Sequence, residues 1–461
     1  MAEGFDPFKV LRAALAEGGE FADIFVEETQ KTSVVCEDNR IERVVGGTDR
    51  GCGIRVIAGL KTFYAYTNDI SETSLIEAAG VVAKGVKDGP PFGDMGLVRK
   101  EAAPGFDIKK SPFGAGMGEK AGLVKRGNAA ARAVDKRIIQ AKVVYGDVQR
   151  RLAMINSLGE WDEEERTAVL FFCSAVSRDG AVVQTGYEPL GGATGLEIFD
   201  ETPPEVIAET AAKRAVMMLG ARRAPGGLQP VVLSSEAGGT MIHEAVGHGL
   251  EADLALNNLS VYSGKIGDVV ASKLITVIDD GTIPYKRGSS FFDEEATPAE
   301  KTVLIEKGVL KSYMYDRLSA MKADALSTGN GRRESYHFRP IPRMTNTMIA
   351  PGESEPGAII SSLEKGLLVV RMGGGQVNTV NGDFVFEVTE GYLVDKGKVG
   401  EPVRGATLTG NGPEILKKID MVGSDLGFGI GTCGKDAQGV PVADAQPTLR
   451  IPGIVVGGDV G

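Results

Sequence analysis

His243 and His248 are two of only three histidines in the 461-residue chain, and they stand five residues apart in Met241-Ile-His-Glu-Ala-Val-Gly-His-Gly-Leu-Glu-Ala-Asp253. Helical zinc sites of the H-E-x-x-H type space their histidines four apart, so both rings share one face and the glutamate serves as a base. The extra residue here changes that geometry. Positions four apart differ by roughly 40° around an α-helix and positions five apart by roughly 140°, too far for two imidazoles to reach one ion. A metal site therefore requires a deformed helix. A π-bulge shifts the repeat to five residues, and Gly247 and Gly249 weaken the regular ladder. The spacing thus predicts a widened or broken turn between Ala245 and Gly249. The plain alternative is a pair of ordinary core or capping histidines.

Catalytic zinc keeps three protein ligands and one open position, and thiolate suits the same borderline ion as imidazole. Cys433 is the natural third ligand, because Gly431-Thr-Cys-Gly-Lys-Asp436 reads as a glycine-flanked loop away from any regular strand. Glu251, Asp253 and the other thiols, Cys36, Cys52 and Cys173, stay open as alternatives. Glu244 would act as the general base on water beside the ion, and attack on an amide carbonyl follows. A competing reading is a non-catalytic peptide-binding or maturation-scaffold subunit whose metal is structural. Glu244 speaks against it, since a structural site closes all four positions and has no use for a neighbouring carboxylate.

Other candidate stretches carry less chemistry. Asp279-Asp-Gly281 lacks the ligand spacing of a calcium loop and reads as a turn. Met372-Gly-Gly-Gly-Gln376 lacks the Lys-Ser/Thr of a phosphate loop, so nucleotide binding is rejected. Gly374 and its neighbours would instead let an extended peptide or another backbone approach closely. Gly329-Asn-Gly-Arg-Arg-Glu-Ser-Tyr-His337 reads either as a substrate-facing loop or as a hydrogen-bonded surface turn. Tyr336 and His337 are candidates there for stabilising an oxyanion.

The chain is too long for a single growing core, so two or more domains are expected. Ala221-Arg-Arg-Ala-Pro-Gly-Gly227 breaks a helix before a strand. It divides the chain into an N-terminal α+β part (1–224) and a β-rich part carrying the histidines and Cys433 (225–461). In the first part, a helix near 7–17 precedes short strands at 22–28, 33–37, 41–45, 53–58 and 61–66. Turn signals at Glu37-Asp-Asn, Gly46-Gly and Ala58-Gly separate these into an antiparallel meander. Helices follow at 72–84, 119–135 and 205–220, with a loop from Asp88 to Gly116 and β-type runs between 138 and 184. The fold class is α+β, with mixed, largely antiparallel sheets and flanking helices. A net charge of −11 argues against a nucleic-acid or membrane-surface binder. The acidic N-terminus lacks a signal peptide's features and no apolar run suits a membrane span, so a cytoplasmic protein with reduced thiols is expected.

The sequence resembles the TldD branch of the TldD/PmbA (modulator of gyrase) metallopeptidase family over essentially its whole length. The blocks that carry the resemblance are His243–Asp253, Val277-Ile-Asp-Asp-Gly-Thr-Ile-Pro284, Thr328-Gly-Asn-Gly-Arg-Arg-Glu-Ser-Tyr336, Pro342-Arg-Met-Thr-Asn346, Gly373-Gly-Gly-Gln376, Gly410-Asn-Gly-Pro413 and Gly431-Thr-Cys-Gly-Lys435. Ala437 and Ala445 depart from the glycines expected in the C-terminal segment. The resemblance implies zinc held by His243, His248 and Cys433, with Glu244 catalytic. It further implies cleavage of small or unfolded peptides in a closed chamber, beside a PmbA/TldE-type partner that lacks the metal residues; a homodimer stays open.

Overall fold

The N-terminal hydrophobic runs form fewer and longer strands than their turn signals suggest. In the computed structural model, which describes residues 4–459 apart from 87, 88, 92, 94, 95, 102 and 104, β1 (Phe21–Glu37) and β2 (Arg40–Ala58) each run unbroken. Gly46 and Gly47 pair with Thr32 and Lys31 in continuous register, so the expected turn at Gly46-Gly is absent. The other two turn signals do make hairpins. Asp38 and Asn39 take positive φ, as do Gly59 and Leu60, the backbone of a two-residue turn matched to strand twist. With β3 (Lys61–Thr67), β4 (Ile138–Asn156), β5 (Glu160–Asp179) and β6 (Val182–Gly192), these strands build one sheet. Its order is β3-β2-β1-β4-β5, and both β6 and Val98–Arg99 pair with β5. Asp88, at the start of the predicted loop, lies outside the described residues.

Helices cover this sheet at two places. α1 (Pro7–Ala14), capped by Asp6, and α2 (Glu72–Gly85), capped by Ser71, bury Val10, Leu11, Leu75 and Ala79 against Ile24, Ile54 and Val56. α3 (Met117–Ala133) and α4 (Pro204–Leu219) lie on β4 and β5. There the alternation Val169, Phe171, Cys173, Ala175 places one face of β5 in the core, the period-2 pattern of a half-buried strand. Alanines 208, 211, 212 and 215 line α4, and a Cβ on Gly186 of β6 would stand 1.9 Å from the Ala211 carbonyl. Small residues on both sides set this close approach.

The second half is built on β strands around one large core. β7 (Gly227–Leu233), β8 (Val277–Asp280), β9 (Lys301–Glu306), β10 (Asn346–Ile349), β11 (Lys365–Val377), β12 (Asp383–Asp395), β13 (Lys398–Arg404), β14 (Ala406–Asn411), β15 (Gly427–Lys435), β16 (Gln438–Gln446) and β17 (Leu449–Gly457) follow in order. β11, β7, β17, β14 and β12 pair in sequence, and β12 pairs back to β11, closing a ring. A second sheet runs Val309–Leu310, β9, β8, β10, β16, β15, leaving β15 at its edge. The fold is therefore α+β with largely antiparallel sheets.

The two halves meet over the start of β1, whose residues Phe21 to Glu27 are buried throughout. Arg55 is fully buried between Asp23 and Glu295, and Arg166 and Arg150 converge on Glu294. Buried ion pairs contribute little net stability, because desolvation offsets their attraction, but breaking one is costly. Asn330, Gly331, Arg332 and Arg333 are buried in this same junction. The stretch 329–337 is thus neither a surface turn nor an open loop at its start; it is a strut between the halves.

Candidate metal centre

Between Thr240 and Leu250 the helical pitch changes twice. An α-turn (Thr240–Ile242) passes into a π-turn (His243–Gly247) and then a 3-10 turn (His248–Leu250). The His248 N–H bonds to the His243 carbonyl, five residues back. This is the widened turn that the spacing requires. Its neighbours leave little room for an ordinary one: a Cβ on Gly247 would stand 2.0 Å from Met344 Sδ, and one on Gly249 would stand 2.8 Å from the Tyr262 ring. The Tyr262 hydroxyl donates to the Ala245 carbonyl at 3.2 Å, and a Cβ on Gly412 would stand 2.6 Å from that same oxygen.

The deformation turns both imidazoles to one side, with ring centroids 5.1 Å apart and planes at 88°. Cys433 meets them from β15. Ligand atoms of His243, His248 and Cys433 all lie within 4.8 Å of one another, the one such cluster of three among the described residues. Cys433 Sγ is 3.5 Å from His248 Nε2. Contrary to the sequence expectation, Cys433 lies on a regular strand, paired with Val440 of β16. The glycines around it are strand residues, because β16 supplies a partner that a local reading does not reveal.

A carboxylate lies behind each ring, and one of the two is within hydrogen-bond distance. Glu251 Oε2 stands 3.1 Å from His248 Nδ1, which leaves Nε2 for the cluster. Asp444 Oδ2 lies 3.9 Å from His243 Nδ1, while its Oδ1 accepts the Gly239 N–H at 2.9 Å. Acids behind metal-binding histidines fix the tautomer and raise ligand basicity. Lys435, two residues from Cys433 and so on the same strand face, donates to Glu251 at 3.1 Å, Asp253 at 2.7 Å and the Pro342 carbonyl at 3.0 Å. Arg343 donates to the Cys433 carbonyl at 2.5 Å. Glu251 and Asp253 are thus engaged by Lys435, and Cys36, Cys52 and Cys173 are buried in the N-terminal cores.

The electrostatics match a thiolate ligand. Burial alone would raise the Cys433 thiol, yet hydrogen bonds and charge from His243 and His248 bring it down to about 5. Burial likewise opposes ionisation of Glu251, but Lys435 first and then His248 hold it at about 2. His243 Nδ1 is buried without a hydrogen bond. Two imidazoles and a thiolate fit a borderline divalent ion such as zinc. Glu244 is half-buried, and burial raises its pKa against the pull of His243 and His248. Among the described residues no hydrogen bond or ion pair engages its carboxylate.

Tyr336 and His337 are placed elsewhere. Tyr336 packs on Phe25, Leu152 and Met154, its N–H donates to Glu27 and its hydroxyl to Asp49. His337 lies against the Tyr66 and Tyr336 rings. No contact joins either to the metal cluster among the described residues. Gly374 has open space around its Cα, while it is Gly375 that makes room for the Phe386 ring. Asp279 is buried and accepts from Asn330, Thr345 and Thr347, while Asp280 shapes the turn. Sequence reasoning missed Asp444 and Lys435. Lys435 has a signal, its two-residue offset from Cys433 in a strand; Asp444 has none without the hairpin register that sets it opposite Gly429.

Models of PmbA/TldA metallopeptidase domain 1, central domain and C-terminal domain match residues 22–84, 110–219 and 226–458. A Haemophilus influenzae protein named metalloprotease TldD homolog is 38% identical over 456 residues, covering 95% of this chain and 93% of that one. A Saccharolobus solfataricus protein named zinc metalloprotease TldD homolog is 27% identical over 464 residues, covering 98% and 100%. The crystal structure of TldE from Thermococcus kodakarensis shares the fold, with a TM-score of 0.74 at 20% identity over 97% of this chain and 99% of that one.

Proposed function

We propose, from the premise that this chain belongs to the PmbA/TldD metallopeptidase family, that it is a zinc-dependent peptidase hydrolysing amide bonds of small or unfolded peptides. The observation that carries this reading is the convergence of His243, His248 and Cys433 within 4.8 Å, with an unpaired glutamate at the neighbouring position. Bound there, zinc would supply a Lewis acid that acidifies water and polarises the substrate carbonyl. Glu244 takes the proton of the attacking water and returns it to the departing amine nitrogen, so the C–N bond breaks without releasing an amide anion. Glu251 holds the His248 imidazole in the ligating tautomer, and Asp444 places a carboxylate behind His243.

In this proposal the first part of the chain (1–224) walls the site carried by the second (225–461). The reaction runs in the cytoplasm, in a closed chamber completed by a second subunit. The likeness to TldE supports a partner of that type, and a second copy of this chain is the other arrangement. The test is Glu244→Gln with metal analysis. Zinc retained and peptide cleavage lowered by at least about a hundredfold is expected. Zinc retained with cleavage unchanged would overturn the mechanism assigned to Glu244. Cys433→Ala tests the ligand set, since undiminished zinc content removes Cys433 from it.

A further inference from the structure

A cavity of about 550 Å³ opens between the N-terminal sheet and β15, lined by Leu190, Gly191, Lys286, Arg287, Phe428 and Ile430 among others. It shares a wall with the metal centre. A Cβ on Gly429 would stand 2.5 Å from Asp444 Oδ1, and Asp444 is the acid behind His243. Arg287 donates from Nε to the Gly431 carbonyl at 3.0 Å and from Nη2 to the Thr432 hydroxyl at 3.2 Å, two and one residues before Cys433. Lys286 lies over the Phe428 ring, 3.9 Å from its centroid.

Among the described residues neither cation has a carboxylate partner. Burial lowers the pKa of both, with only Tyr187 acting in the other direction on Arg287. Two of the acids in the lining are already engaged. Glu188 is held by Arg214 and Arg371, and Glu197 accepts from Thr194, Gly195 and Lys110. Asp107 and Glu201 are exposed. Partly desolvated cations left unpaired in a cavity are a place for an anion, because a carboxylate there gains charge-assisted hydrogen bonds that water screens only weakly. The net charge of −11 would repel acidic ligands at long range, so a local site is what an acidic substrate requires.

We propose, resting on the peptidase reading above, that Lys286 and Arg287 bind a carboxylate of the peptide substrate, either an acidic side chain or the free C-terminus. At about 3.3 Å per residue of extended chain, Gly431 and Phe428 lie roughly 7 and 17 Å along β15 from Cys433.

The test is fluorescence anisotropy on full-length protein carrying Glu244→Gln, with three labelled octapeptides: one with an internal Glu and amidated C-terminus, one neutral with a free C-terminus, one neutral and amidated. At least one carboxylate-bearing peptide is expected to bind roughly tenfold tighter or more than the neutral amide, and which one identifies the source. Adding Lys286→Met or Arg287→Gln brings that ratio toward one, while Lys286→Arg preserves it. Equal affinities, a preference untouched by both substitutions, or no binding of any peptide overturns the proposal. Cleavage by the unmutated protein separates the two ideas. Cleavage of the neutral amide without preferential binding leaves the peptidase and removes the carboxylate site. Preferential binding without cleavage of any peptide does the reverse.

Discussion

Gly247→Ala tests the physical origin of the metal geometry. Gly247 has ordinary right-handed helical angles, φ −53° and ψ −57°, so its backbone does not demand glycine. On propensity alone, alanine would stabilise the helix by roughly 1 kcal/mol. The added Cβ, however, would stand 2.0 Å from Met344 Sδ, and Met344 is wholly buried in the large core. Overpacking of this kind costs about 1–3 kcal/mol. Because Met344 is enclosed and neighboured by Arg343 and Thr345, both fixed by hydrogen bonds, the strain should fall at the upper end of that range and win, for a net loss of about 2 kcal/mol. If the strain unwinds the π-turn, His248 leaves the ligand position, and zinc affinity in a chelator competition falls by about 5- to 30-fold. Met344→Ala alone should cost about 2–5 kcal/mol through its cavity. The double variant should recover zinc affinity relative to Gly247→Ala, with a coupling of at least about 1 kcal/mol. Gly247→Ala with undiminished stability in urea and full zinc affinity would refute the claim that packing against Met344 sets the turn.

Three other outcomes follow from the same structure. Glu251→Gln removes the charged acceptor behind His248 Nδ1 and should weaken zinc binding by about 10- to 100-fold, read by chelator competition; unchanged affinity would assign Glu251 a purely structural part. Lys435→Met strips Glu251 of its main counter-charge and should cost about 3–5 kcal/mol, whereas Lys435→Met with Glu251→Gln should cost less than the sum, checked by urea denaturation. Asp316, which caps a helix through Ser319, is raised from 3.8 to about 7 by burial first and then by the charge of Glu295. The folded chain therefore holds a proton that the unfolded chain has lost between about pH 4 and 7, and stability falls as pH rises through that window. Asp316→Asn keeps a capping oxygen and removes the titration, so its stability relative to wild type should improve from pH 5 to pH 8, by at most about 3 kcal/mol; a pH-independent difference would contradict the assignment.

What the sequence disclosed, and what it did not, follows the range of the interactions involved. The π-turn was legible because a five-residue spacing has one helical solution, whereas the residue chemistry left Cys433 as one of several candidates and only the family resemblance singled it out. The hairpins at Asp38-Asn39 and Gly59-Leu60 were legible from local backbone preference. Gly46-Gly47 misled for the complementary reason: pairing with Lys31 and Thr32 overrides a local turn tendency. The strand around Cys433, the strut at 329–337 and the role of Asp444 all depend on partners far away in the chain, which no window of neighbouring residues contains.

Cys433, Lys435 and Asp444 share one hairpin, β15–β16, whereas His243 and His248 belong to a helical turn 185 residues earlier than the thiol. An ion bound by both pieces closes that length of chain in the unfolded state as well, for as long as it stays bound. By the loop-closure relation for a covalent crosslink, a span of this size removes denatured-chain entropy worth roughly 5 kcal/mol at 25 °C. The centre would then act as a reversible staple, and loss of the ion would loosen first the one-sided edge strand that carries the thiol.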